Sequence, residues 1–208
     1  MIITYFGKQF FKIQQGEMVL AFNPVSKSSK TGIGAHFGSD IALVTTNHPD
    51  YNGVDQLSHG ERTPFIISSP GDYEIKEIFI KGFLSNSNVG GEKYINTIYF
   101  LTIDNINIAF LGALSDNEIS KDAMGEINSL DILFIPVGGK GLLDPKTASK
   151  LASSLEPSMI IPMDYDDSSL KAFLKESGEE KAEVTEKLTL KKKDLEGKEG
   201  EVVVLKAV

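Results

Sequence analysis

Cysteine is absent from the 208 residues of this chain, which removes disulfide bonds and thiolate metal ligands together. A chain without cysteine is compatible with any redox compartment. Histidine is scarce: His36, His48 and His59 are the three present. No apolar run approaches the length of about 20 residues that a membrane-spanning helix needs. Residues 1–13 are interrupted by Lys8, Gln9 and Lys12 and lack the charged start, apolar stretch and cleavage site of a signal peptide. A soluble, cytoplasmic protein without a membrane partner is the expectation. Also missing are a Gly-x-Ser-x-Gly elbow, a dinucleotide fingerprint and a phosphate-cradling glycine loop.

What is present is ordinary globular material. Hydrophobic residues make up 41% of the chain, and a chain of this length folds by burying roughly 70% of its unfolded surface. A single domain over 1–208 is expected. The net charge is -8 and the sequence pI is about 5.0, which disfavours a phosphate backbone as partner.

The first two-thirds reads as short strands. Ile2-Ile3-Thr4-Tyr5-Phe6, residues 10–13 and residues 18–22 are rich in β-branched and aromatic side chains, with Gly7 and Gln15-Gly16 as punctuation. Further strands are expected at 41–45, 65–67, 75–83, 96–103 and 106–111, the last two joined by an Asp104-Asn105 turn. The last third alternates strand and helix. Ser115 or Asp116 caps a helix running to about Asn128, and Asp144-Pro145 starts another that ends near Leu155. A third spans 168–177 and closes at Gly178. Strands at 131–137 and 158–163 lie between these helices, and 202–205 closes the chain. Residues 179–200 are dense in Glu and Lys, a solvated face, with Val184, Leu188 and Leu190 marking a strand or hairpin. The pattern is α/β (α+β), with helices packed on a sheet.

His48 alone among the histidines follows a buried strand and neighbours a carboxylate, Asp50. Ligand-binding residues of α/β sheets sit at that end of a strand. Leu43-Val44-Thr45-Thr46-Asn47-His48-Pro49-Asp50-Tyr51 resembles the His-x-His-x-Asp-His loop of metallo-β-lactamase-fold hydrolases. Other segments resemble that family in order: Asn23-Pro24, Ser69-Pro70-Gly71-Asp72-Tyr73-Glu74, Asn96-Thr97-Ile98-Tyr99, Phe110-Leu111-Gly112-Ala113-Leu114, Ile135-Pro136-Val137-Gly138-Gly139, Leu143-Asp144-Pro145-Lys146-Thr147-Ala148 and Ile160-Ile161-Pro162-Met163-Asp164-Tyr165. The ascorbate-6-phosphate-lactonase-like branch is the most similar. The resemblance implies a four-layer αββα sandwich and a metal site at Thr46, His48, Asp50, Tyr51, Ala113 and Asp164.

Most of those positions depart from the family pattern. Thr46 and Tyr51 replace the first and last loop histidines, Ala113 replaces the aspartate that bridges two metals, and Asp164 replaces the final histidine. No histidine stands in Ser85-Asn86-Ser87-Asn88, where another is expected. A catalytic zinc takes about three protein ligands, and a two-metal centre holds its ions about 3.5–4 Å apart. Ala113 has no donor to bridge such a pair, and Tyr51 would have to ionise a group with a pKa near 10. The resemblance therefore implies no cofactor, or at most one weakly bound divalent metal, Zn, Mn or Fe, on His48, Asp50 and Asp164.

Two other roles are open to the retained pair. His48 and Asp50 could form a general-base pair, with Ser68, Ser69 or Ser85 supplying a hydroxyl. Alternatively, Asp50 caps a short helix from Tyr51 to Leu57 and His48 is a buried, hydrogen-bonded side chain. Gly138-Gly139-Lys140-Gly141 reads as an anion loop or as a plain strand-to-helix turn. The expectation is a non-catalytic relative kept for binding or assembly, with an unidentified protein or small molecule as partner. The alternative is a lactonase- or phosphodiesterase-type hydrolase with a mononuclear site. Exposed strands also allow a homo-oligomer.

Overall fold

Side chains along a strand point alternately to its two faces, and the central strands here are apolar on both. In Ile132–Pro136, Ile132 and Phe134 join one buried cluster, while Leu133 and Ile135 join another. Such a strand must be covered on both sides. The computed structural model, which describes residues 1–60, 63–127 and 129–208, meets that requirement with two stacked sheets.

The chain forms β1 (Ile2–Gly7), β2 (Phe10–Gln15), β3 (Met18–Phe22), β4 (Ile41–Leu43), β5 (Phe65–Ile67), β6 (Gly71–Ile75), β7 (Ile78–Ser87), β8 (Tyr94–Ile103), β9 (Ile106–Phe110), β10 (Ile132–Pro136), β11 (Met159–Met163), β12 (Glu183–Thr185), β13 (Lys187–Thr189) and β14 (Glu201–Leu205). One sheet has the order β13-β1-β2-β3-β4-β5, the other β12-β14-β11-β10-β9-β8-β7-β6. Between them lies the main core, where Phe11, Phe22, Phe110 and Phe134 pack ring against ring.

Among the described residues, three α-helices, α1 (Lys121–Glu126), α2 (Pro145–Leu155) and α3 (Asp167–Glu176), belong to the larger sheet. Ala148, Leu151, Ala152 and Leu155 of α2 and Phe173 of α3 pack there with Leu133, Ile135 and Val202. The chain is thus a mixed α/β sandwich. The outer layer over the smaller sheet is mostly coil, with Val25, Phe37 and Leu57 packed on Phe10, Ala21 and Ala42. Among the described residues no helix is long and apolar enough to cross a membrane.

Four expectations change. The strand read over 75–83 is a hairpin of β6 and β7, because Lys76 and Glu77 take φ of 51° and 66°, the left-handed pair a two-residue hairpin needs. The helix expected from Ser115 or Asp116 starts later, since Ser120 is the residue whose hydroxyl accepts the Ala123 N–H; its expected end at Asn128 lies outside the described residues. Residues 54–56 make a single 3-10 turn capped by Gly53, so Asp50 caps no helix. Finally, of the two readings of Val184 and Leu188, strand holds and hairpin does not: β12 pairs with β14 in the larger sheet and β13 with β1 in the smaller.

Candidate functional site

Strands β9, β10 and β11 are parallel, so their carboxyl ends open on one side of the sandwich. The ends of β3 and β4 and the turn between β1 and β2 reach the same place. Asp164 follows β11 and is buried, 8% exposed. Its backbone N–H donates to the Lys8 carbonyl at 2.7 Å. One carboxylate oxygen, Oδ2, accepts the Tyr51 hydroxyl at 2.6 Å and the Gln9 amide at 3.1 Å. The other, Oδ1, lies 3.3 Å from the Lys8 ammonium.

A line of neutral hydrogen bonds leaves this carboxylate and crosses the floor of the site. Asn23 Nδ2 donates to Gln9 Oε1 at 2.7 Å and to Thr45 Oγ1 at 2.8 Å, while Asn23 Oδ1 accepts the Thr45 N–H. Thr46 Oγ1 lies 3.5 Å from Thr45 Oγ1 and donates to Asn96 Oδ1 at 3.0 Å. Asn96 Oδ1 also accepts the Ala113 N–H, and Asn96 Nδ2 donates to Ser85 Oγ and to the Leu111 carbonyl. Gln9, Asn23, Thr45, Thr46, Ser85 and Asn96 are all buried. Buried polar groups are costly unless partnered, and here they partner one another.

His48 and Asp50 stand nearer the surface. The Asp50 N–H donates to His48 Nδ1 at 3.2 Å. In a neutral ring the proton is then assigned to Nε2. Asp50 Oδ1 accepts the Ser29 hydroxyl at 2.6 Å, and Oδ2 lies 3.5 Å from Lys8 Nζ. The His48 ring rests beside Tyr51 and edge-on to Tyr94. Lys8, His48, Asp50, Tyr51, Asp164 and the loop Gly138-Gly139-Lys140 line a cleft of about 440 Å³.

Burial, then the charge of Asp164, pushes the Tyr51 hydroxyl far above the ordinary tyrosine range. Burial pulls the Lys8 ammonium down, but Asp164 and Asp50 outweigh it and leave its pKa raised. Lys8 is therefore a cation and Tyr51 a neutral donor at physiological pH.

The structure brings His48, Asp50, Tyr51 and Asp164 to one cleft. It places Thr46 and Ala113 deeper, joined through Asn96. Ser85 is buried against Asn96, and Ser69 bonds Tyr73 on the surface, so neither lies beside His48 as a nucleophile would. In the glycine loop the Gly139 N–H is spent on the Leu143 carbonyl, and Lys140 pairs with Asp166. Lys8 and Gln9 were illegible as site residues: nothing local sets them apart, and Asp164 lies 155 residues beyond Gln9. Asn23 and Asn96 stood within segments of the resemblance, but only as strand markers.

A two-metal centre does not fit these side chains. Thr46 and Tyr51 already donate their hydroxyl protons within the protein, Ala113 brings no donor, and an ammonium lies between the two carboxylates. Among the described residues, no three His, Asp or Glu side chains gather closely enough to hold an ion. His48, Asp50 and Asp164 line one cleft without converging on one point.

Comparison with known proteins places the chain. A protein of Listeria welshimeri named a metal-dependent hydrolase is 25% identical over 197 residues, covering 79% of this chain and 85% of the relative. A relative of the same description from Ignicoccus hospitalis is 24% identical, with 78% and 82% covered. Among solved structures, a Thermotoga maritima chain described as a Zn-dependent hydrolase of the metallo-beta-lactamase superfamily superposes with a TM-score of 0.77 at 24% identity, covering 98% of this chain and 97% of that one. The family model of the beta-lactamase superfamily domain matches residues 2–164. That span runs from β1 to Asp164 itself, and the chain belongs to the metallo-β-lactamase superfamily.

Proposed function

We propose that this chain is a metal-independent, non-catalytic member of its superfamily that binds a small molecule in the cleft at the strand ends. One observation carries this reading: Thr46, Ala113 and Asp164, three positions that resemble metal-ligand positions, are tied together by the buried hydrogen bonds through Gln9, Asn23, Thr45 and Asn96. The polar groups of the floor satisfy one another, so the fold does not rely on an ion to compensate them.

The cleft still presents groups to a ligand. The His48 Nε2 has no hydrogen-bond partner among the described residues, and Lys8 is about one-third exposed. Both donate, which suits a carbonyl or carboxylate oxygen. Three carboxylates and two ammonium groups line the cleft, and that balance disfavours a multiply charged phosphate. Elemental analysis of protein purified without chelator is the test. Transition metal well below one equivalent is expected; a full equivalent that survives dialysis would reject the reading.

A second reading is favoured by the relatives, which are named metal-dependent hydrolases. On that reading His48, Asp50 and Asp164 rearrange around one divalent ion and the chain is a hydrolase. It requires that His48→Ala remove both bound metal and any lactonase or phosphodiesterase activity. Unchanged metal content and activity in that variant would reject it.

A further inference from the structure

A positive charge stands in the cleft, and it is covalently attached to the chain. Lys8 Nζ sits 3.3 Å from Asp164 and 3.5 Å from Asp50. These two carboxylates come from opposite sides of the cleft, one after β4 and one after β11. The position is not that of a loosely placed surface lysine. The Lys8 carbonyl accepts both the Asp164 N–H at 2.7 Å and the Tyr5 hydroxyl at 2.8 Å. Its backbone is held at φ 55°, and Asp164 answers with φ 52°. For Lys8 this is the conformation of the two-residue turn between β1 and β2, so the turn and the Asp164 N–H together fix where the Lys8 side chain starts.

We propose that the Lys8 ammonium is the resident cation of this cleft, held between Asp50 and Asp164 so that it keeps a divalent metal from binding there. This rests on the metal-independent reading above and adds the residue responsible. A tethered ammonium offsets one of the two carboxylate charges without having to be recruited from solution, and a free divalent ion must displace it to bind. Removing Lys8 leaves the Asp164 and Asp50 carboxylates without the cation between them, and a buried carboxylate without a partner favours any cation that can reach it.

The experiment is calorimetric titration of Mn²⁺ and of Zn²⁺ into the whole chain, comparing wild type with Lys8→Met, Lys8→Gly and Lys8→Arg. Lys8→Gly is included because glycine adopts φ 55° without strain, so loss of fold from the backbone is not expected; circular dichroism checks each variant. Wild type and Lys8→Arg are expected to show no saturable binding, whereas Lys8→Met and Lys8→Gly gain one site that Asp164→Asn removes again. Folded Lys8→Met and Lys8→Gly without such a gain would overturn the role of Lys8 while leaving the metal-independent reading intact. One equivalent of metal on the wild type, with affinity unchanged by Lys8→Met, would overturn both. A measurement on the wild type covers loss of fold in the variants: the Lys8 ammonium protons should exchange with water more slowly by NMR than those of exposed Lys187. Equal exchange would overturn the proposal.

Discussion

A carboxylate cannot be buried as an ion unless nearby groups replace its water. For Asp164 those groups are Tyr51, Gln9 and Lys8, and each is therefore a point at which the site can be tested. Tyr51→Phe keeps the ring and removes the hydroxyl, so Oδ2 loses its shortest partner; a loss of about 1–3 kcal/mol is expected in urea denaturation. The same hydroxyl sets an alkaline limit. Its folded pKa lies above the ordinary value of 10.0, and that of Lys8 lies above 10.5. A raised folded pKa contributes stability that is complete below the unfolded value and is lost as the pH rises towards the folded one. The melting temperature should therefore hold steady to about pH 10 and fall beyond it, with a shallower fall in Tyr51→Phe. Gly112 is a second sensitive residue. It takes φ 61°, and a Cβ there would lie 2.5 Å from Thr45 Oγ1 and 2.6 Å from Asn96 Oδ1. Gly112→Ala is expected to cost at least about 1 kcal/mol and to disturb the buried network, which loss of amide-exchange protection at Thr46 and Ala113 would report.

The elements that hold these residues owe their ends to short polar signals, and those were readable to differing degrees. Asp144-Pro145 marks the start of α2, where Asp144 accepts the Lys146 and Thr147 N–H groups and the Thr147 hydroxyl. Asp144→Ala should cost about 0.5–2 kcal/mol, measured by thermal or urea unfolding. The Thr147 hydroxyl and backbone donors hold the Asp144 carboxyl below its ordinary range. Its contribution is thus present above the unfolded pKa near 3.8 and is lost as the pH falls through the lower folded value. The start of α3 was nearly as plain: Asp166 and Ser169 exchange reciprocal bonds, though the sequence pointed one residue later. Other ends were hidden because their signals compete. Ser115, Asp116 and Ser120 all precede the same helix, and Ser115 is drawn instead to the Asn86 carbonyl. Asp50 looked like a cap, yet Ser29 and Lys8 claim its carboxylate; a side chain with a tertiary partner is not available to a local one.

Across the whole molecule, the two-sheet sandwich was legible because β-branched runs and turn residues repeat along the chain and because segments in order matched one family. The departures from the family pattern at Thr46, Tyr51, Ala113 and Asp164 were readable position by position. The contacts of Asp164 with Lys8 and Gln9 were not: they form only when the β1–β2 turn and the end of β11, far apart in the chain, are brought together in space. Nor could the sequence tell that residues 183–189 part between the sheets, since Val184 and Leu188 have the same chemistry whichever sheet receives them. That division links the sheets into one structure. β13 lies at the edge of the smaller sheet and β12 at the edge of the larger, and Glu186 alone separates them. The sheets also share the central core in which Phe134 of the larger touches Phe11 and Phe22 of the smaller. The two sheets should therefore unfold together, as a single domain does. Phe134→Ala removes a fully buried ring and is expected to cost about 3–5 kcal/mol. If the sheets are one cooperative unit, urea curves followed by far-ultraviolet circular dichroism and by tyrosine fluorescence will shift together and keep the slope of the wild type. Two separated transitions in the variant would mean that each sheet, with its own outer layer, holds its structure without the other.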